Sequence, residues 1–246
     1  MRSRAIVERG KHLAAAAVLN EGKLVSLDAH TEQVALEAGV RERHLRETRQ
    51  RIHLAALELV ESRGCAVVTV SEVAAAADVS RRTFFRYFRN KEAAVLAGHS
   101  RYFEAVQAHP LPVSSPLDAL TAIEALGDAV LAEEGRPDIA EHRRIEALIA
   151  GDPAIRSYAV AQDREVADIL RDRLAEVLPE EPLNELELIA DLGVATWRHG
   201  WVRWTSQRTH GRQESPEQSH SAVRALLREL VAGSDQSPRI ARAIRK

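Results

Sequence analysis

From Val79 to Lys91 the chain carries Arg81, Arg82, Arg86, Arg89 and Lys91 and no acidic residue. Cations at this density can bond phosphate oxygens, and the planar fork of arginine also fits guanine O6 and N7. Chemistry of this kind needs a rigid carrier. Ser80 is placed to cap a helix that starts at Arg81. Arg81, Arg82 and Thr83 then occupy its first turn. Phe84, Tyr87 and Phe88, at i, i+3 and i+4, form an apolar seam that fixes the helix to its own domain. Upstream, Thr69 followed three residues later by Glu72 is a capping box, opening a shorter helix through Val70, Val73, Ala74 and Ala77. Asp78 falls where the connecting turn needs a left-handed backbone. Two short helices, a tight turn and an acid-free second helix make a helix-turn-helix. In such a unit the first turn of the second helix enters the major groove, and flanking cations meet phosphates.

The run from Thr48 to Val95 resembles the TetR/AcrR family of bacterial transcriptional regulators. The resemblance rests on Ile52 to Leu59, Gly64, Thr69 to Ala74, Val79 to Phe88, and Lys91-Glu92. It implies an all-helical homodimer with a small DNA-binding domain and a larger effector-binding domain. Arg81, Arg82 and Thr83 match its groove-facing positions; Tyr87 and Lys91 match its phosphate-contacting positions. Thr69, Ser80 and Arg86 complete the candidate DNA-binding set. Two residues depart from the family pattern. Asp78 stands where glycine is usual, which alters the turn mildly. Phe85 stands where tyrosine is common, so it has no hydroxyl to donate to a phosphate and remains an apolar contact.

Net charge is −2, which alone argues against a nucleic-acid partner. Its distribution reverses that. Residues 41–91 hold eleven basic and six acidic residues, a local +5, and the remainder carries −7. Positive charge is concentrated at the candidate reading head. With 246 residues, 45% of them apolar, the chain has length for one large or two modest domains. A single cysteine, Cys65, excludes an internal disulfide and suits a reducing cytoplasm. Beside Gly64 it reads as a small buried packing residue; a redox sensor would lack a resolving partner in the chain. No apolar run is long enough to span a bilayer, and the N-terminus does not resemble a secretory signal, so a cytoplasmic, nucleoid-associated protein is expected. Phosphate-loop, His-Glu-x-x-His, Cys-x-x-Cys and Gly-x-Ser-x-Gly motifs are missing, and the histidines show no metal-ligand spacing. Neither an enzyme nor a bound cofactor or metal is expected.

The pattern is helical throughout, with no strand signal, so the fold class is all-α with nine or ten helices. Residues 1–40 read as an N-terminal extension, either a basic arm on DNA or a mobile tail. Residues 41–92 form the helix-turn-helix domain, 93–232 the effector and dimerisation domain, and 233–246 a disordered tail. Thr48 is placed to cap the first helix, with Ile52, Ala55, Ala56, Leu59 and Val60 as its buried stripe and Gly64 as its left-handed cap. His53 reads as a surface residue. A fourth helix runs from Lys91 through Val106 to His109-Pro110, linking the domains. A proline-rich linker, 110–116, precedes the helices of the second domain; Asp152-Pro153 is a helix start.

The penultimate helix carries Leu186, Ile189, Ala190, Gly193, Trp197, Trp201 and Trp204 on one stripe, holding every tryptophan of the chain. Such a stripe suits a dimer seam, a pocket wall or plain core. Val223, Leu226, Leu227, Leu230 and Val231 offer a second face on the last helix, and the family dimerises through these two helices. For an effector, the candidate residues are His142, Arg143, Arg144, Trp197, His199 and Trp201; the adjacent arginines would meet an acidic group. The C-terminal layout also resembles that of mycofactocin-associated regulators, which would imply an acyl-CoA type effector. The reading is a ligand-responsive regulator, of repressor type by family habit, on a palindromic double-stranded DNA operator. The alternative is a helical adaptor whose basic helix meets an acidic protein surface.

Overall fold

The computed structural model describes residues 40–41, 43–134, 137–207 and 214–232. The chain divides into two compact units, Met1–Arg51 and Ile52–Lys246. In the smaller unit the described residues are helical. Thr48 lies inside that helical segment, and its hydroxyl donates to the His44 carbonyl at 2.9 Å. It is not a cap, because the charged segment before it is itself helical. The readings of residues 1–39 and of the tail 233–246 fall outside the described residues.

The larger unit is built of helices, with no strand among the described residues. Residues 52–63 form α1. They are followed by α2 (Val70–Ala76), α3 (Arg81–Tyr87), α4 (Lys91–Val95) and α5 (His99–Ala108). Then come α6 (Pro116–Glu134), α7 (Ile139–Gly151), α8 (Pro153–Val177), α9 (Leu183–Thr205) and α10 (Pro216–Val231). No helix among the described residues is long and apolar enough to cross a membrane.

Two hydrophobic cores organise this unit. One gathers Ile52, Ala56, Leu57 and Val60 of α1 with Val73, Phe84, Phe88 and Ala94, and adds Ile145 of α7 and Ile155 and Ala159 of α8. The other gathers Tyr102, Ile123, Leu131, Leu186 and the three tryptophans, with Val166, Ala167, Leu170 and Leu174 of α8. The 25-residue α8 therefore has one end in each core. Its start is fixed by Asp152, whose Oδ1 accepts from the backbone N–H of Ala154 (2.9 Å) and Ile155 (3.1 Å), with Pro153 at the first helical position.

The expected single fourth helix is two helices. The chain leaves helical geometry at Leu96, with φ −98° and ψ 33°, and resumes at His99. Ala93, Ala94, Val95 and Leu96 are all buried. Four consecutive buried residues cannot share one face of a straight helix, so the chain turns to bury them and re-enters helix aimed at the second core.

The tryptophan stripe is core. Trp197, Trp201 and Trp204 are all buried, Tyr102 stacks on Trp197 at 4.5 Å, and His220 packs between Trp197 and Trp201. Glycines on α9 itself let side chains of the neighbouring helices close in. A Cβ on Gly200 would lie 2.2 Å from the His220 ring, and one on Gly193 2.5 Å from Ile123. Gly200→Ala should therefore lower stability by about 1–3 kcal/mol despite alanine's better helix propensity. Gly98→Ala, with nothing within 4 Å of its would-be Cβ, should stay within about 1 kcal/mol of wild type. Thermal unfolding of the two variants checks the pair.

Candidate nucleic-acid interface

The loop between α1 and α2 is tied down by its backbone. Gly64 closes α1 in the left-handed region, φ 81°. The Cys65 N–H donates to Asp152 Oδ2 at 2.8 Å, and the Lys91 ammonium donates to the carbonyls of Cys65 and Val68, the latter at 2.7 Å. Burial pushes the Asp152 carboxyl up, but the N–H donors of Cys65, Ile155 and Ala154 outweigh it and hold the group below its usual range. Cys65 itself is buried, and burial together with its bond to Glu92 raises the thiol to about 12. It packs as a small neutral group, without the thiolate character a redox sensor needs.

The loop delivers Thr69 to the start of α2. Its hydroxyl accepts from Glu72 N–H at 3.3 Å, and the Glu72 carboxylate accepts from Thr69 N–H at 2.8 Å, completing the capping box. Arg63 of α1 donates to the same carboxylate at 2.7 Å. The bonds from Thr69, then Arg63, lower the Glu72 carboxyl to about 2. Asp78 takes the left-handed turn at φ 53°, and Ser80 accepts from Thr83 N–H at 3.0 Å to open α3.

Phe84 and Phe88 sink into the first core and fix the rotation of α3. That rotation leaves Arg81, Arg82, Phe85 and Arg86 exposed. Among the described residues no hydrogen bond or ion pair holds Arg81 or Arg82. Phe85 stands edge-on against Phe84 with ring centroids 5.5 Å apart. Arg86 lies over the Tyr87 ring at 5.0 Å and donates to its hydroxyl at 3.0 Å. Thr69, Ser80, Thr83 and Lys91 stand differently. Their polar groups are engaged in caps or on loop carbonyls, so they set where the helices begin. Arg89 turns away from this face, donating to the Tyr158 hydroxyl (2.6 Å) and Glu165 (3.3 Å).

Two exposed arginines in the first turn of an anchored second helix are the arrangement that reads a major groove. Residues 52–97 match the family described as bacterial regulatory proteins, tetR family. Residues 52–97 thus carry the DNA-binding segment described for the TetR family. The HTH-type transcriptional regulator TcmR of Streptomyces glaucescens is 43% identical over 70 residues, which cover 28% of this chain and only 31% of TcmR. A protein described as a TetR-family transcriptional regulator from Syntrophomonas wolfei aligns over 77% of this chain and 97% of its own, at 16% identity and a TM-score of 0.49. Thermus thermophilus FadR, a TetR-family repressor solved with lauroyl-CoA, covers the same shares at 23% identity and a TM-score of 0.38.

The expected effector residues do not converge. Arg143 clasps the end of α9, donating to the carbonyls of Thr205 (2.9 Å) and Gln207 (2.6 Å). Arg144 forms a forked pair with Glu61 of α1, at 2.9 and 2.5 Å. Adjacent residues on a helix point about 100° apart, so the pair cannot meet one acidic group. His142 stacks on Trp201 at 4.6 Å, and Trp197 faces Tyr102. His199 lines an open groove on the other side of α9. His53 is buried, not at the surface; its Nδ1 meets the Ala94 carbonyl at 2.8 Å and its Nε2 lies 3.2 Å from Glu141. Sequence reasoning passed over Glu124 and His220, which are buried side by side with Tyr102 and Arg224 around a small cavity. The signal was present: Glu124 is an acid inside the apolar stripe of α6, next to Ile123.

The Glu72 carboxyl is depressed on folding, so it stabilises above the usual carboxylate range near 4.5, and that contribution is lost as pH falls towards 2. Glu72→Gln should destabilise at neutral pH and flatten this acid limb. Denaturant unfolding of both proteins across pH 2–6 checks it.

Proposed function

We propose that the chain binds a palindromic operator as a homodimer and releases it when a small molecule enters the C-terminal helices. The observation that carries the DNA reading is the pair Arg81 and Arg82, exposed and unengaged among the described residues, on a helix whose rotation is locked by Phe84 and Phe88. Guanidinium forks at base-reading positions favour guanine, so each half-site should contain at least one G·C pair near its centre. In a dimer the two α3 helices would meet successive major-groove faces roughly 34–36 Å apart.

The outer faces of α9 and α10 support the dimer. They enclose an open groove of about 490 Å³ lined by Leu192, Ala195, His199, Val202, Val223, Leu226, Leu227 and Leu230 among others. Leu226 and Leu230 are each 49% exposed and Val231 73%. A run of exposed leucine and valine on two adjacent helices is a surface that a second copy would cover. It is the opposite side of α9 from the tryptophans. Effector binding would act through α5 and α4, and the coupling is reciprocal: operator DNA must weaken effector binding by the same factor. A repressor follows the habit of the family.

Genomic SELEX with wild type beside Arg81→Ala/Arg82→Ala tests the DNA reading. A palindromic, G·C-containing motif that disappears in the double variant is expected. No enriched motif, or an unchanged one, overturns it, and binding to an acidic protein surface becomes the account of the basic helix. Sedimentation tests the dimer. Wild type should run as a dimer and Leu226→Glu/Leu230→Glu as a folded monomer with operator affinity at least about tenfold lower.

A further inference from the structure

Three phenylalanines of α3 and its C-terminal cap part company. Phe84 and Phe88 are buried, whereas Phe85 is 51% exposed. One exposed apolar side chain needs no explanation by itself. The surroundings of this one give it meaning. At 3.6 residues per turn, Phe85 lies about 40° around the helix from Arg81 and about 60° from Arg82, between the two. All three residues are exposed. The Cα–Cβ bond of a helical residue tilts towards the N-terminus, so the ring leans over the turn that carries the two guanidinium groups. Phe84 braces it from below, edge-on, with centroids 5.5 Å apart and planes at 87°. An aromatic ring backed by the core has little freedom to give up when something packs on it.

The chemistry of the ring limits what that can be. It has no polar atom, so it cannot bond a phosphate oxygen. Covering a polar base edge with it would strip that edge of water and return nothing. In the major groove the base edges present N7, O6 and O4 acceptors, N4 and N6 donors, and one methyl group, on C5 of thymine. Cytosine has only a hydrogen at that carbon. Thymine is thus the base against which the ring buries apolar surface on both sides. The register follows from the helix. Arg81 is four residues away, about 6 Å along the axis, and base pairs rise by about 3.4 Å, so ring and guanidinium groups reach positions within about two base pairs of each other.

We propose, on the operator reading above, that Phe85 is a specificity-determining residue: its ring packs on the C5-methyl of a T·A pair within about two base pairs of the guanine met by Arg81 or Arg82, in each half-site. The cations supply attraction and guanine readout; the ring between them supplies thymine readout. A cytosine, or a purine, at that position leaves the ring without an apolar partner.

The duplex selected by SELEX tests it, beside the same duplex with deoxyuridine for that thymine in both half-sites. The exchange removes two methyl groups and keeps every hydrogen-bonding group. Affinities of the full chain are read by fluorescence anisotropy at one salt concentration. Wild type should bind the uracil duplex more weakly, by about fourfold for each methyl lost and roughly tenfold or more for both. Phe85→Ala should bind the thymine duplex more weakly than wild type does and the two duplexes within about twofold of each other, closing a cycle between ring and methyl. Phe85→Leu, still apolar, should keep part of the preference. Should Phe85→Ala fail to fold in thermal unfolding, Phe85→Gln takes its place, with no apolar end to offer. Equal wild-type affinity for the two duplexes, or a thymine preference that survives in Phe85→Ala, overturns the proposal. So does a selected motif with no T·A pair within about two base pairs of its guanines. The operator reading fails separately. A motif lost in Arg81→Ala/Arg82→Ala but indifferent to uracil leaves the regulator and removes the role of Phe85; no motif at all removes both.

Discussion

The loop between α1 and α2 has little of its own to hold it, and the rest of the reading head depends on what does. Asp152 accepts the Cys65 N–H while capping α8, and Lys91 accepts no partner but donates to two loop carbonyls from the start of α4. Backbone groups in a partly buried loop must be satisfied by something. Here residues 26 and 87 positions away do so. With the loop fixed, Thr69 meets Glu72, α2 starts in register, and α3 is turned so that phenylalanines go in and arginines stay out. A glycine at position 64 is required by the same geometry, since φ 81° suits few other residues.

The same contacts tie the helix-turn-helix to the helices behind it. Ile145, Ile155 and Ala159 belong to its core, Arg144 pairs with Glu61, and Arg89 reaches Tyr158. These ion pairs are partly exposed and individually worth little. The shared apolar core does most of the fastening. Helix α8 then continues into the second core without a break, and α4 reaches that core through the Leu96–Gly98 turn. Any response to a ligand in the second core has these two physical paths to α3: a straight helix, and a helix interrupted by a turn. Only a change that both ends of such a path feel differently in two states would couple the sites.

Helix α9 divides its labour between faces. Trp197, Trp201 and Trp204 face inward with His142 and His220, and glycines at 193 and 200 let Ile123 and His220 come close. Leu192, Ala195, His199 and Val202 face outward with the leucines of α10. One helix thus serves as core wall, cavity wall and open apolar face, which is why a single apolar stripe was an incomplete account of it.

Local rules were legible in the residues themselves. The capping box, the serine cap, Asp78 in its left-handed turn, Gly64, Asp152-Pro153, the all-α class and the TetR-family likeness of residues 52–97 follow from interactions within a few positions of the chain, or from a motif that is short and specific. What the tertiary structure decided was the choice among partners far apart in sequence. Arg143 and Arg144 were separated by helical rotation; His53 was buried by α4 and α7; the fourth helix was broken because two cores claim its two halves. The tryptophans went inward because Gly127 of α6 leaves room against Trp197 and His220 of α10 packs beside Trp197 and Trp201. Glu124 and His220 come to line one small cavity only because α6 and α10 pack together, and a cavity is a property of an assembled interior and not of any stretch of sequence.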